Sequence, residues 1–361
     1  MPQRPLELGI FLPIANNGWI MSKHSPKYMP TYELNRETCQ IAESINFDFV
    51  LSMVKWRGFG GETRHWDYAL ESMTLMAGLA ASTKTMQLYG SVQPLTFNPA
   101  VLAKMATTID DISGGRFGIN IVAGWAKQEY DQLGVWPGDE FFDYRYDYAE
   151  EWVTIVKSLW TTGECTFHGK FFDIEDCQSL PMPRRVPGIV TAGASERGLK
   201  FALDHCSIQF GSTKDPDVKA QMAAKGIKQY SSFPIVHAAT TAEAERINKL
   251  YQETPDESAK AGQLKAASAD KNGTTATFIR TRIEGGGDKL QNNVPTLKSL
   301  VGDGEAIAEK IRAYYQEGLT DGMLFTFPDF VKGMEFFAAE VMPKLEGMGL
   351  PVGRNKNLVA A

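Results

Sequence analysis

MQLYGSVQPLTFNPAVLAKMATTIDDISGGRFGINIVAGW, residues 86–125, decides the fold. Its flanks, 86–92 and 117–123, are apolar on consecutive positions, as strands of a parallel sheet covered on both faces should be. Between them Asn98 is placed to cap a helix and Pro99 fits the first helical position. Leu102, Met105, Ile109 and Ile112 then repeat at three and four residues until Gly114 and Gly115 stop the run. Working outward, similar apolar runs lie at 6–14, 47–54, 188–193, 207–211, 233–240 and 322–328, each followed by a helical stretch. The helix over 142–160 carries Tyr146, Ala149, Trp152, Val153, Val156 and Trp160 as one stripe facing the sheet. Eight strand–helix units predict a closed (β/α)8 TIM barrel, an α/β fold in a single domain over residues 1–361.

One segment departs from the pattern. Residues 253–297, between the seventh and eighth strands, are polar, Gly-containing and weakly periodic, which predicts a lid-like insertion over the C-terminal rim.

Composition narrows the function. Lys plus Arg total 37 against 43 Asp plus Glu, a net charge of −6 without long like-charge blocks, which argues against nucleic acid and anionic membrane partners. No run of about 18 apolar residues and no signal-peptide pattern is visible, so the chain reads as cytoplasmic. Cys39, Cys165, Cys177 and Cys206 form no C-x-x-C pair, and Cys165 with His168 lacks a second ligand pair, so neither a disulfide framework nor a metal is expected.

In such a barrel, residues just past each strand form the active rim. Here they are Asn16-Asn17-Gly18-Trp19, Lys55-Trp56-Arg57-Gly58-Phe59-Gly60-Gly61, Ser91 with Gln93, Asn120, Ala123-Gly124-Trp125 with Glu129, and Ala192-Gly193-Ala194-Ser195. No Ser-His-Asp set and no glycosidase-like carboxylate pair occurs, so a bound cofactor is expected to carry the chemistry. Ser195, at a Gly-containing turn opening a helix, either caps that helix or binds phosphate. Arg145, at the start of the 142–160 helix, either joins the same phosphate or is solvated. Asn120 sits in an apolar strand and needs a partner, structural or ligand. Trp19, Trp56 and Trp125 pack or stack on a flat ring. No G-x-G-x-x-G follows a strand, so a built-in dinucleotide site is not expected.

The segments NNGW at 16–19, KWRGFGG at 55–61, SGGRF at 113–117, the Asn120-to-Trp125 stretch and TAGASERG at 191–198 together resemble the bacterial luciferase-like flavin monooxygenases, and within them the pyrimidine monooxygenases. The resemblance implies FMN contacts from Val54, Lys55, Asn120, Glu129, Arg145, Tyr146 and Ser195. It further implies that Ser91 and Asn120 bound the space for dioxygen and act in catalysis with Lys55, and that Trp125, Trp19 and Lys55 line the substrate pocket. Reduced FMN from a separate NAD(P)H:flavin reductase, dioxygen as co-substrate, ring opening of uracil or a related pyrimidine to a ureidoacrylate-type product, and a homo-oligomer are the corresponding expectations. Ser91 stands where the pattern has Thr, Ala123 replaces a Thr, and Cys206-Ser207 replaces Ala-Asp. Alternatives are a relative acting on another heterocycle, sulfone or sulfonate, a deazaflavin enzyme, and a flavin binder without turnover.

Overall fold

The computed structural model describes residues 4–193, 195–211, 215–270 and 299–353. Parallel strands β1 (Glu7–Phe11), β2 (Phe49–Leu51), β3 (Gln87–Val92), β4 (Phe117–Ile121), β7 (Gly188–Thr191), β8 (Ile208–Phe210), β9 (Lys228–His237) and β11 (Gly322–Thr326) close on themselves, β9 pairing with both β8 and β11. An antiparallel hairpin, β5 (Glu164–His168) and β6 (Asp173–Gln178), stands apart, and β10 (Leu300–Gly302) adds to the upper end of β9.

Alternation along each strand divides the core. Inward-facing Phe49, Leu51, Tyr89, Val190, Ile208, Tyr230 and Leu324 fill the barrel, with Phe11 and Phe210 packed against them. The other strand positions join the helices in a second, larger cluster that includes Trp152, Trp160, Phe233 and Phe325. Each fully buried large side chain contributes about 1.5–3 kcal/mol. The barrel floor is polar, because Lys228 and the Tyr230 hydroxyl both bond the Glu7 carboxylate.

Helix α3 (Pro99–Ser113) starts as expected, with the Asn98 side chain accepting from the N–H groups of Ala100 and Val101, and Gly114 ends it in the left-handed region at φ 69°. Its buried face differs from the expected stripe. Leu102 and Ile109 are buried, but Ile112 is 44% exposed, and the face runs instead through Ala103, Ala106, Thr107, Asp110 and Ser113. Small residues let α3 approach its neighbours closely, so size rather than hydrophobicity marks that face.

Strand β9 begins at Lys228, five positions before the apolar run at 233 that predicts it, since its first residues face the polar floor. The insertion is described to Asp270, and residues 271–297 of the expected lid lie outside the described residues. Its first part is helix α9 (Glu257–Ser268), following α8 (Thr241–Glu253). Asp256 caps α9 and also accepts from Thr63 N–H at 2.7 Å. Ser22 bridges to Pro255, and Gly262 lies against the Phe59 carbonyl. Helix α9 is thereby fixed across the loops that follow β1 and β2. No helix of the described residues is long and apolar enough to cross a membrane.

Candidate active site

Strands β3 and β4 set Ser91 opposite Asn120 at the mouth of the barrel. The Asn120 Nδ2 donates to Ser91 Oγ at 2.7 Å, and the Ser91 hydroxyl donates to the Ser52 carbonyl. The Ser91 N–H turns to Ser72 Oγ at 2.8 Å, and Ser72 in turn shares a 2.6 Å bond with the Ser52 hydroxyl. Side-chain hydroxyls thus take over where the β2–β3 ladder ends at Leu51 and Tyr89. Asn120 Oδ1 is buried and has no hydrogen-bond partner among the described residues. A buried amide oxygen left unpaired costs about 1–3 kcal/mol, and its chemistry is that of an acceptor for an N–H.

Beside this pair, Lys55 and Glu129 form an ion pair whose side chains are 3% and 2% exposed. Lys55 follows β2, and Glu129 lies in the first turn of the short helix α4 (Lys127–Leu133). The other Glu129 oxygen accepts from Gln93 Nε2 at 3.3 Å and from the Trp56 N–H at 3.4 Å, while Trp56 Nε1 donates to Gln93 Oε1 at 2.9 Å. The Lys55 ammonium stands 4.3 Å from the Phe59 ring centre, 5.3 Å from Trp125 and 5.9 Å from Trp66. Burial pushes its pKa below the usual lysine value, and the Glu129 charge opposes that only in part. Trp19 packs edge-on to Phe11 and Trp66, and Ala266 of α9 completes this apolar cluster. Water is kept from a cation that is both paired and caged by rings.

The third part lies around α5 (Phe141–Thr161) and α6 (Glu196–His205). Ser195 caps α6, its Oγ accepting from the Gly198 N–H at 3.1 Å. The Tyr146 hydroxyl lies at the turn that Ser195 ends, where side chains on Gly193 and Gly198 would reach, at 2.5 and 2.7 Å from an added Cβ. Only glycine lets the turn and the helix close on that hydroxyl. Arg145 is buried, donates to the Gly124 carbonyl at 2.9 Å and pairs with Asp270 at 2.9 Å. Gly124 adopts φ 101° above Tyr130, a conformation and a space that only glycine fits.

Ser91, Asn120, Lys55, Glu129, Trp125 and Trp19 therefore meet at one end of the barrel, with Arg145, Tyr146 and Ser195 on the β7 side of it. Val54 is half-buried next to Lys55. Sequence reasoning placed Phe59 and Gln93 on the rim without a role. Trp66 and Asp270 it missed, although an aromatic and an acidic residue in segments that cross a barrel mouth were the available signal.

The luciferase-like monooxygenase family model matches residues 6–321. Among curated proteins, the chain is 40% identical over 351 residues to pyrimidine monooxygenase RutA of Klebsiella pneumoniae strain 342, covering 94% of this chain and 96% of that one. It is 38% identical to RutA of Escherichia coli strain SE11, covering 94% and 92%. Among solved structures, riboflavin lyase RcaE superposes with TM-score 0.78 at 20% identity, covering 97% and 98% of the two chains. Long-chain alkane monooxygenase LadA gives 0.78 at 18%, covering 99% and 94%. The barrel, its rim and these matches together make the chain a member of the luciferase-like monooxygenase family.

Proposed function

We propose that the protein is an FMN-dependent monooxygenase that uses reduced flavin and dioxygen to open the ring of uracil or a related pyrimidine. The observation that carries this reading is the joint placement, at one barrel mouth, of an anion cradle, an unpaired amide acceptor and a caged cation. Sequence identity of 40% to a pyrimidine monooxygenase over nearly the whole chain supports the substrate class.

The donor set fits FMN. Arg145, the Ser195 and Tyr146 hydroxyls and the N-terminus of α6 suit a phosphate. Asn120 Oδ1 suits a ring N–H. Reduced FMN, when bound, supplies the electrons that activate dioxygen. The chain's own residues do the remaining work. Opening a cyclic amide develops negative charge on a carbonyl oxygen, and a desolvated cation such as Lys55 stabilises it by several kcal/mol, about 3 for a single well-placed donor. Gln93 and the Trp56 N–H keep Glu129, and through it Lys55, in position. Trp19, Phe59, Trp66, Trp125 and α9 exclude water from the space above. A separate NAD(P)H:flavin reductase and a homo-oligomer belong to the same reading, the former supported by the similarity to pyrimidine monooxygenase RutA.

The test is mass spectrometry after anaerobically reduced FMN and enzyme are mixed with aerated uracil. A ureidoacrylate-type product is expected. Turnover of a different heterocycle, sulfone or sulfonate without ring-opened uracil would overturn the substrate, and flavin binding without any turnover would overturn the enzyme.

A further inference from the structure

Helix α9 ends beside the cation that the phosphate needs. Its start is fastened by Asp256 to the loop after β2, and Ala266 packs into the aromatic cluster over Lys55. Two residues past its end, Asp270 Oδ2 lies 2.9 Å from Arg145 Nη1, and the same nitrogen already donates to the Gly124 carbonyl. The Arg145 side chain is 9% exposed and that of Asp270 is 0%. This carboxylate is therefore desolvated, and it faces the guanidinium from the roof while Gly124 holds it from the rim.

A flavin phosphate reaching Arg145 would bring about two negative charges next to that buried carboxylate. Like charges a few ångströms apart in a water-poor site repel strongly, and a guanidinium gains most from a carboxylate or phosphate that occupies its fork alone. We propose that Asp270 is an internal competitor for the flavin phosphate: it pairs with Arg145 while the cofactor is absent, is displaced when FMN binds, and so holds FMN affinity down to a level at which the cofactor exchanges. Such a device suits a flavin that must arrive reduced and leave oxidised in every cycle. It also connects phosphate occupancy to the end of α9, the helix that covers the Lys55 cage. The proposal rests on Arg145 being the phosphate-binding cation.

Fluorescence titration of the full chain with FMN and with riboflavin tests it, riboflavin lacking the phosphate. Asp270→Asn keeps the shape and removes the charge. FMN dissociation constants are expected to fall at least tenfold in this variant, with riboflavin unchanged. Unchanged or weakened FMN binding would overturn the proposal and leave Asp270 a structural partner of Arg145. Arg145→Ala is the control for the underlying reading and should weaken FMN more than riboflavin. If it weakens both alike, the phosphate assignment itself fails. Hydrogen exchange of the unmodified protein gives a check that needs no variant. FMN, but not riboflavin, should raise exchange in the last turn of α9, Leu264 to Ser268, and the absence of any FMN-specific change there would also overturn displacement.

Discussion

Asn120 donates from Nδ2 to the Ser91 hydroxyl at 2.7 Å, and because the Ser91 proton is itself given to the Ser52 carbonyl, the pair offers the barrel mouth an acceptor, Asn120 Oδ1, rather than a hydroxyl donor. The direction of this chain is set by the Ser52 carbonyl, which can only accept, while the Ser91 N–H goes to Ser72 Oγ at 2.8 Å.

Ser72→Ala should therefore act at a distance. It leaves the buried Ser91 N–H without its acceptor and removes the partner of Ser52 Oγ. A loss of about 1–3 kcal/mol is expected for an unsatisfied buried donor. Urea denaturation should show it, and Ser91→Thr, which keeps the hydroxyl and adds one methyl, should cost a similar amount, about 1–3 kcal/mol, through overpacking while preserving FMN binding.

At Ser195, capping and phosphate binding are separable. Asp is as good an N-cap as Ser and is favoured at the positive end of a helix, so Ser195→Asp should leave thermal stability within about 1 kcal/mol of the parent. Its charge would face the phosphate. FMN affinity should drop by tenfold or more while riboflavin affinity barely changes, and equal affinities for FMN in the two proteins would reduce Ser195 to a cap.

The barrel was legible because its strands are buried on both faces, so apolar runs such as FGINI carry the signal without alternation. Where polar groups serve the structure, that signal fails. Lys228 and Tyr230 bond Glu7 on the barrel floor, which disguises the start of β9, and β5 and β6 expose most of their residues. Helix α9 reads as a loop since its buried side is Ala259, Gln263, Ala266 and Ala267, small or polar residues that give no apolar stripe. Individual rim residues could be picked by their position after each strand. Their partners could not, because Lys55 meets Glu129 across 74 residues of sequence and Arg145 meets Asp270 from a different element altogether.

His205 gives a pH signature of the α6 region. Burial, reinforced by Lys157 with its Nζ 3.4 Å from the ring, pushes the imidazole down to about 4 from an ordinary 6.5. Between these values the unfolded chain binds a proton that the folded protein does not, so stability should fall as pH drops from 6.5 towards 4 and should not respond to this group above 6.5. Denaturation midpoints of His205→Gln across that range should be flatter than those of the parent. Identical slopes would show that other groups govern the acid limb.

The Lys55–Glu129 pair yields the most discriminating experiment on the chemistry. Removing one partner strands a buried charge, so Lys55→Met alone should cost about 3–5 kcal/mol, and most of that loss should return in Lys55→Met with Glu129→Leu. Since the double variant regains its fold, activity can be compared at equal stability. If Lys55 stabilises the developing oxyanion, the double variant, compared with the parent at saturating reduced FMN, should form ring-opened product at least 100-fold more slowly, the scale for loss of one preorganised donor of about 2.7 kcal/mol or more. The pH profile adds an independent readout. Burial lowers the Lys55 pKa below 10.5, so its proton, and with it the activity, should be lost on a basic limb that falls below that value. Arg in place of Lys55 remains protonated over the whole range, and its residual activity should lose that limb. A basic limb that persists unchanged in Lys55→Arg would assign the titration to another group and remove the caged cation from the reaction.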